Sequence, residues 1–410
     1  MSVTNEKPVD YRRFLSRVAM ERNDPSSQFR GGKLRPDNVP LSFGYPYSES
    51  LPSADLARAT AASLTEEGHL TLQYGGGPSS ELLRKLLFER ALRRGVKAEG
   101  NDIVLTAGSM QALDLVGRVL LDPGDLVMTE APSYFGALRV FQTWRAQLIG
   151  FPLDGEGLVT DAVAAQLARW RRDGRPMPKL FYVIADFHNP GGITMSLPRR
   201  RALLELAEQY DFLILDDNAY GELRFEGQGL ELLKAMDDKV RVIQTGTFSK
   251  VIAPGVRLGW AIGPQPLIDE MTRVNVGGGL STFVTGALHA FCREGDLDRR
   301  IDGLRSEYRR RKDAMVASLE THMPAGVTWN NPEGGFFLWL EVPAEVDMEA
   351  LAPKAREQGV TFVGGTAFFT DGRGRNYARL CFSFCDNEQL ERGIGILAKL
   401  IREQLDEETH

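Results

Sequence analysis

From about residue 54 onward, amphipathic stretches alternate with short runs that are apolar throughout. The spacing of apolar positions predicts helices over 81–94, 111–120, 161–172 and 198–210. Between them the apolar runs predict strands over 103–106, 126–129, 180–185, 212–216 and 241–244. These strands do not alternate polar with apolar, the pattern expected when helices cover both faces of a parallel sheet. The character changes after Gly295: a long charged helix over 298–320 precedes strands in WNNPEGGFFLWLEV, at 360–363 and at 378–384, and then a terminal helix. The first 50 residues are polar and turn-rich, with a short helix near 11–22 and an irregular arm after it. The expected organisation is an arm over 1–50 that contributes to a small domain, a large α/β domain over 51–295, and a smaller α+β domain over 296–410.

Composition narrows the function classes. With 43% hydrophobic and 25% charged residues in 410, the chain has material for an ordinary globular core. The charge of −6 argues against nucleic acid or an anionic membrane as partner, and the arginine run at 309–311 reads as a solvated helix face. The apolar runs fall well short of the ~20 residues of a membrane span, and the N-terminal residues carry no secretory pattern. Three cysteines without ligand spacing predict neither a disulfide framework nor a metal site. The expectation is a cytoplasmic enzyme.

Six segments carry candidate chemistry. LTAGSMQALDL (105–115) reads as strand, tight turn and helix, so the free N–H groups at the helix start and the Ser109 hydroxyl can hold an anion. EAPSYFGAL (130–138) puts Tyr134 just past a strand end, where an aromatic can stack on a flat ring. In ADFHNPGGIT (185–194) a turn exposes the Asn189 amide, with His188 beside it as a packing residue. FLILDDNAYGELRF (212–225) ends a buried strand on two acids, of which one, Asp217 or Asp216, needs a cationic or N–H partner. QTGTFSKVIAPGVRLGW (244–260) sets Lys250 at a strand terminus with Thr247, Ser249 and Arg257, which complete a phosphate site. Arg379 lies within an apolar run and needs an anion. Phosphate cradle, aromatic stacker, acid, lysine nucleophile and carboxylate-binding arginine together point to pyridoxal 5′-phosphate.

The chain resembles the fold-type I pyridoxal-phosphate enzymes of the class I/II aminotransferase group, in the branch with 2-aminoadipate aminotransferase and the effector domains of MocR-type regulators. The motifs that carry the resemblance are LQYG (72–75), TAGSMQAL (106–113), EAPSYFGAL, HNPGG (188–192), DDNAYGELRF (216–225), TFSKVIAPGVRLGW (247–260), PEGGFFLW (332–339) and ARLCFS (378–383). It implies a large domain around a mostly parallel seven-stranded sheet, and a homodimer. By the resemblance, Lys250 forms the Schiff base and moves the Cα proton, Asp217 pairs with the pyridine nitrogen, and Tyr220 and Asn189 bind the ring 3-oxygen. Tyr134 would stack on the ring, and Ser109, the Met110 backbone, Thr247, Ser249 and Arg257 would bind the phosphate. Tyr74 would reach the neighbouring subunit's phosphate, and Arg379 would clamp the substrate α-carboxylate, with Asn189 and Gly44 also on the substrate side. The chain departs from the usual pattern at Gly191, where relatives carry Thr or Ser, at Met110, in the arm FGYPYSESLP (43–52), and in the GGPSS that follows LQYG.

The reading is amino-group transfer between an α-amino acid and a 2-oxo acid. A second reading keeps the cofactor but decarboxylates, β-eliminates or oxidatively deaminates a modified amino acid. A ligand-sensing domain is disfavoured because about 50 residues before the core are too few for a winged helix. A nicotinamide enzyme is disfavoured because no G-x-G-x-x-G opens a helix.

Overall fold

The computed structural model describes residues 9–20, 37–75, 77–276 and 279–408, and the chain divides into two units at residue 34. In the first, a 3-10 turn, Tyr11–Phe14, starts where the Asp10 carboxylate accepts the Arg12 N–H at 3.0 Å. A single turn of helix, α1 (Arg17–Met20), follows, its Ala19 N–H donating to the Ser16 hydroxyl. The helix expected over 11–22 is thus two pieces separated by a cap. Residues 21–36, which hold the end of that expected helix and the first part of the irregular arm after it, lie outside the described residues, as does Gly76.

The second unit begins with β1 (Val39–Pro40), α2 (Ser53–Glu67) and α3 (Gly77–Arg93). The α/β alternation then runs β2 (Asn101–Thr106), α4 (Ser109–Leu120), β3 (Leu126–Ala131), α5 (Phe135–Thr143), β4 (Gln147–Asp154), β5 (Gly157–Leu158) and α6 (Thr160–Arg172). It continues with β6 (Leu180–Val183), α7 (Leu197–Tyr210), β7 (Leu213–Asp217), β8 (Val242–Thr247), β9 (Gly259–Pro264), α8 (Gln265–Val274) and α9 (Thr282–Arg293). The last stretch holds α10 (Asp296–His322), β10 (Thr328–Trp329), β11 (Phe337–Glu341), α11 (Met348–Glu357), β12 (Val360–Thr361), β13 (Val363–Gly364), β14 (Tyr377–Cys381) and α12 (Asn387–Glu408).

The large sheet has eight strands in the order β2-β9-β8-β7-β6-β3-β4-β5. Strands β8, β7, β6, β3 and β4 are parallel, while β9 is antiparallel to both its neighbours. The eighth strand, beyond the seven expected, is the two-residue β5 that folds back on β4. Two members gave no clear apolar run. Strand β4, covered at its edge only by the two-residue β5, is half-exposed, and β9 (GWAIGP) is broken by two glycines and a proline.

The apolar strands bury alternate residues on opposite faces. Leu180 and Tyr182 of β6, Leu215 of β7 and Ile243 of β8 pack with Leu113 and Val116 of α4, Phe141 of α5 and Met271 of α8. Phe181 and Val183, Ile214 and Val242 pack with Val163, Leu167 and Trp170 of α6 and Leu203 of α7 on the other face. Each fully buried aliphatic side chain contributes about 1.5–3 kcal/mol. This parity also separates the adjacent acids at the end of β7. Asp217 shares a face with Leu215 and α4, and Asp216 shares one with Ile214 and α7.

A second sheet, β10-β11-β14-β13, is antiparallel throughout. The strand expected over 360–363 is split: β12 pairs in parallel with β1, and β13 joins β14. The WNNPEGGFFLWLEV strand is likewise interrupted, because the chain bends between β10 and β11, where Gly334 bridges to Arg224 instead.

Candidate active site

Strand β8 ends at Thr247, so Lys250 stands in the turn three residues past the strand rather than on its last residue. Its Nζ donates to the Gly44 carbonyl at 2.8 Å and lies 5.8 and 5.7 Å from the Tyr220 and Phe336 ring centroids. Burial pulls the amine from 10.5 down to about 8. Arg379 and Arg257 push the same way, against Cys381 and Asp217. At pH 7 about a tenth of the lysine is therefore the nucleophilic free amine, against a negligible fraction for an ordinary lysine.

Asp217 is the acid that faces this group. Oδ1 accepts from the Thr245 hydroxyl at 2.8 Å and Oδ2 from the Tyr182 hydroxyl at 2.9 Å. Burial raises its pKa, and these two hydroxyls and the Lys250 ammonium hold it back. Both hydrogen-bond partners are neutral, so the carboxylate suits a cationic N–H that it can pair with. Asp216, on the other face, accepts from Gln244 Nε2 at 2.9 Å and the Ala185 N–H at 3.4 Å. Burial and then the Asp186 charge push it up to about 7.

At the start of α4, Gly108 adopts φ +87°, a conformation that favours glycine. The hydroxyls of Thr247 and Ser249 lie 2.9 Å apart, and Arg257, itself at φ +47°, makes only long bonds to the carbonyls of Ala107 (3.3 Å) and Pro254 (3.4 Å). Among the described residues no carboxylate forms an ion pair with Arg257. A Cβ at Gly108 would come within 2.6 Å of Arg257 Nη2, and one at Gly259 within 2.7 Å of the Ser109 nitrogen. The glycines keep clear a cradle of helix N–H groups, hydroxyls and guanidinium. The Tyr134 hydroxyl lies 3.8 Å from Met110 Sδ. Burial raises the Tyr134 pKa, as does the Asp217 charge, while Arg379 and Arg257 lower it, so its phenol shares one neighbourhood with all three.

Arg379, 4% exposed, donates from Nη1 to Asn189 Oδ1 and from Nη2 to the Ser42 carbonyl, each at 2.9 Å. It stacks 4.2 Å over the Phe337 ring, and its buried Nε has no partner. Burial lowers its pKa. Among the described residues it pairs with no carboxylate, so its charge is left without an anion from the protein. Since Asn189 spends its Oδ1 on Arg379, its N–H2 is the end that can reach a ring oxygen. Gly44 sits against Phe337, where an added Cβ would approach to 2.9 Å. Tyr220 packs between Phe336 and Phe337, with centroids 5.3 and 5.6 Å away. The exception is Tyr74, whose side chain is 98% exposed.

Sequence reasoning missed Tyr182, Thr245 and the Ser42 carbonyl. Thr245 is opposite Asp217 in the β7–β8 register, and Tyr182 lies across the adjoining pair. Strand pairing carries that information, and composition does not.

The residues fit the cofactor they were read to hold: an anion cradle with an uncommitted arginine, a carboxylate lacking a cation and a lysine of lowered pKa converge at the carboxyl ends of parallel strands. They define a pyridoxal-phosphate-dependent enzyme of fold type I. Residues 37–397 match the family model for aminotransferases of class I and II, and the chain belongs to that family. It is 38% identical over 372 residues to aromatic-amino-acid aminotransferase 1 of Thermococcus litoralis, covering 90% of this chain and 89% of that one. It is 33% identical over 373 residues to the 2-aminoadipate transaminase of Thermus thermophilus, covering 90% and 91%. Among solved structures, Pyrococcus horikoshii kynurenine aminotransferase in complex with PMP superposes with a TM-score of 0.90 at 37% identity, covering 97% and 98%. The protein is an aminotransferase, and its cofactor is pyridoxal phosphate. Decarboxylation, elimination and oxidative deamination are not favoured.

Proposed function

We propose that the chain moves the amino group of an aromatic α-amino acid to a 2-oxo acid. The carrying observation is an aromatic cluster beside the lysine. Tyr45 lies 4.9 Å from Phe43 and 6.1 Å from Phe384, directly after the Gly44 carbonyl that Lys250 engages. Tyr45 also acts electrostatically on Tyr134 and is half exposed, so its ring borders the site and remains open to a ligand. The similarity to an aromatic-amino-acid aminotransferase of Thermococcus and to a kynurenine aminotransferase of Pyrococcus supports the same class.

When bound, pyridoxal phosphate supplies a carbonyl for an amine and a ring that withdraws electrons from the substrate Cα. In this reading Lys250 holds the cofactor and moves the proton at Cα. Asp217 would pair with the ring nitrogen and favour its protonated form, Tyr220 and Asn189 would hold the 3-oxygen, and Tyr134 would stack on the ring. Ser109, the Met110 N–H, Thr247, Ser249 and Arg257 take the phosphate, and Arg379 takes the α-carboxylate beside Gly44. Residues 51–295 serve as the cofactor-binding domain and 296–410, with part of the arm, as the smaller domain. Tyr74 completes the partner's site in a homodimer. Supporting this, Leu72, Tyr74 and Phe283 stand exposed on segments that the Thr282 hydroxyl ties together by its bonds to the Thr71 and Gln73 carbonyls. Three buried free cysteines fit a reducing cytoplasm.

The test is single-turnover reaction of the loaded enzyme with phenylalanine, tyrosine, glutamate and 2-aminoadipate, following cofactor absorbance and oxo acid. Aromatic donors should react fastest, and Tyr45→Ala should cost them about tenfold more in kcat/KM than it costs glutamate. Acidic donors reacting fastest, or a uniform loss, would refute the aromatic class.

A further inference from the structure

We infer that Glu130 and His188 form a positioning pair that sets the geometry of the carboxylate clamp; this rests on the reading that Arg379 takes the substrate carboxylate. Asn189 supplies one of the two hydrogen-bond partners of Arg379. It belongs to the loop after β6, and the bonds that shape that loop pass through His188. The His188 N–H donates to the Ile193 carbonyl at 2.8 Å, and the Gly192 N–H donates to the His188 carbonyl at 2.6 Å. Nδ1 of the ring accepts the Gly191 N–H at 3.0 Å. A ring nitrogen that accepts carries no hydrogen, so the ring hydrogen is on Nε2. Nε2 lies 3.1 Å from Glu130 Oε2, close enough to touch although no hydrogen bond joins the two atoms in this conformation. The same oxygen accepts the Ile184 N–H at 2.9 Å. Both side chains are 2% exposed. Glu130 thus ties β3 to the end of β6 by a hydrogen bond and, at the same buried point, lies in contact with the loop through His188.

Two features show that the loop needs fastening. Phe187 is held at φ +52°, a left-handed conformation that costs a bulky residue energy. Gly191 has the second story. Its φ is not positive, so the backbone does not require glycine there. A Cβ at that position would stand 2.9 Å from His188 Nδ1. The imidazole therefore accounts for the glycine found where the family usually has a hydroxyl residue. The Asn189 side chain, whose Oδ1 accepts from Arg379, belongs to the residue directly after His188, and by this inference a tilt of the ring would be passed to the Arg379 fork.

The test uses the cofactor-loaded enzyme and 3-phenylpropanoate, a carboxylate with no amino group, titrated by the change in visible absorbance. Affinity for pyridoxal phosphate and melting temperature are measured alongside. His188→Ala should weaken 3-phenylpropanoate about tenfold and the cofactor several-fold less, because the cofactor loses only the Asn189 contact and keeps its phosphate and ring-nitrogen partners. His188→Gln, whose amide offers an N–H toward Glu130 and an oxygen toward the Gly191 N–H, should restore most of the affinity. Gly191→Thr should weaken the probe in the parent and add little in His188→Ala, the mark of a coupled pair. Normal probe binding in His188→Ala, with binding lost in Arg379→Ala, would overturn the inference and leave the clamp standing. Unchanged binding in Arg379→Ala would instead remove the clamp, and the inference with it. Equal loss of probe and cofactor in both the Ala and the Gln variants would reduce His188 to a general structural part and overturn its positioning role.

Discussion

The environment of Lys250 yields a number that a direct experiment can reach. A fall from 10.5 to about 8 corresponds to about 3 kcal/mol of preference for the neutral amine. At pH 7 it raises the neutral fraction from about 0.03% to about 10%, roughly 300-fold. The assay is stopped-flow mixing of cofactor-stripped protein with pyridoxal phosphate from pH 6 to 11, with borohydride trapping and mass spectrometry to identify the modified lysine. The rate of covalent attachment should climb with pH and level off above about pH 8. Asp217→Asn removes a charge that raises the Lys250 pKa, so its midpoint should move to lower pH; Arg379→Gln should move it higher. The same group biases stability. Between about 8 and 10.5 the unfolded chain holds a proton that the folded chain has released, so stability of the stripped protein rises with pH across that window and the bias against folding is fully present below it. Lys250→Met should flatten that rise. A rate that keeps climbing tenfold per pH unit through pH 10 would refute the electrostatic argument.

Three further outcomes follow from the site. Asp217→Asn should retain bound cofactor by absorbance but lose kcat by on the order of 100-fold or more, since the electron-withdrawing ring loses its anionic partner. Thr245→Val removes one hydroxyl from Asp217 and should weaken cofactor binding by about 1 kcal/mol, roughly fivefold, in an equilibrium titration. Asp216, pushed up to about 7, adds stability that is fully present below about pH 3.8 and lost as pH rises through 7. Asp216→Asn should therefore flatten the fall in stability between about pH 4 and 7, read by denaturant unfolding across that range, while losing one of the two hydrogen bonds that the carboxylate oxygens accept.

The parallel strands and their helices were legible because apolar runs and helical spacing are local. The chemistry was legible because strand ends collect it: Lys250, Asp217 and Asn189 each follow an apolar run, and Arg379 interrupts one. What escaped depends on pairing. No local pattern shows that Thr245 stands opposite Asp217, that β9 runs against its neighbours, or that the 360–363 run divides between β1 and β14. Glycine-containing β9 and half-exposed β4 lacked the apolar continuity that marked the others. The parity of β7 decided between Asp216 and Asp217 only once α4 and α7 were known to cover opposite faces.

The backbone between Ser42 and Tyr45 has a consequence of its own. Three successive partners are bound to its carbonyls: Arg379 at Ser42, Lys250 at Gly44 and the Ser383 hydroxyl at Tyr45. Two of those donors are the cations assigned to substrate and cofactor, so this stretch of main chain and the ligands draw on the same hydrogen bonds. Linkage makes the effect reciprocal. Whatever free energy a ligand takes from the segment by capturing those donors, loosening of the segment returns as tighter ligand binding. Amide exchange at 42–45 is then a meter of active-site occupancy, read from a strand of backbone that performs no chemistry.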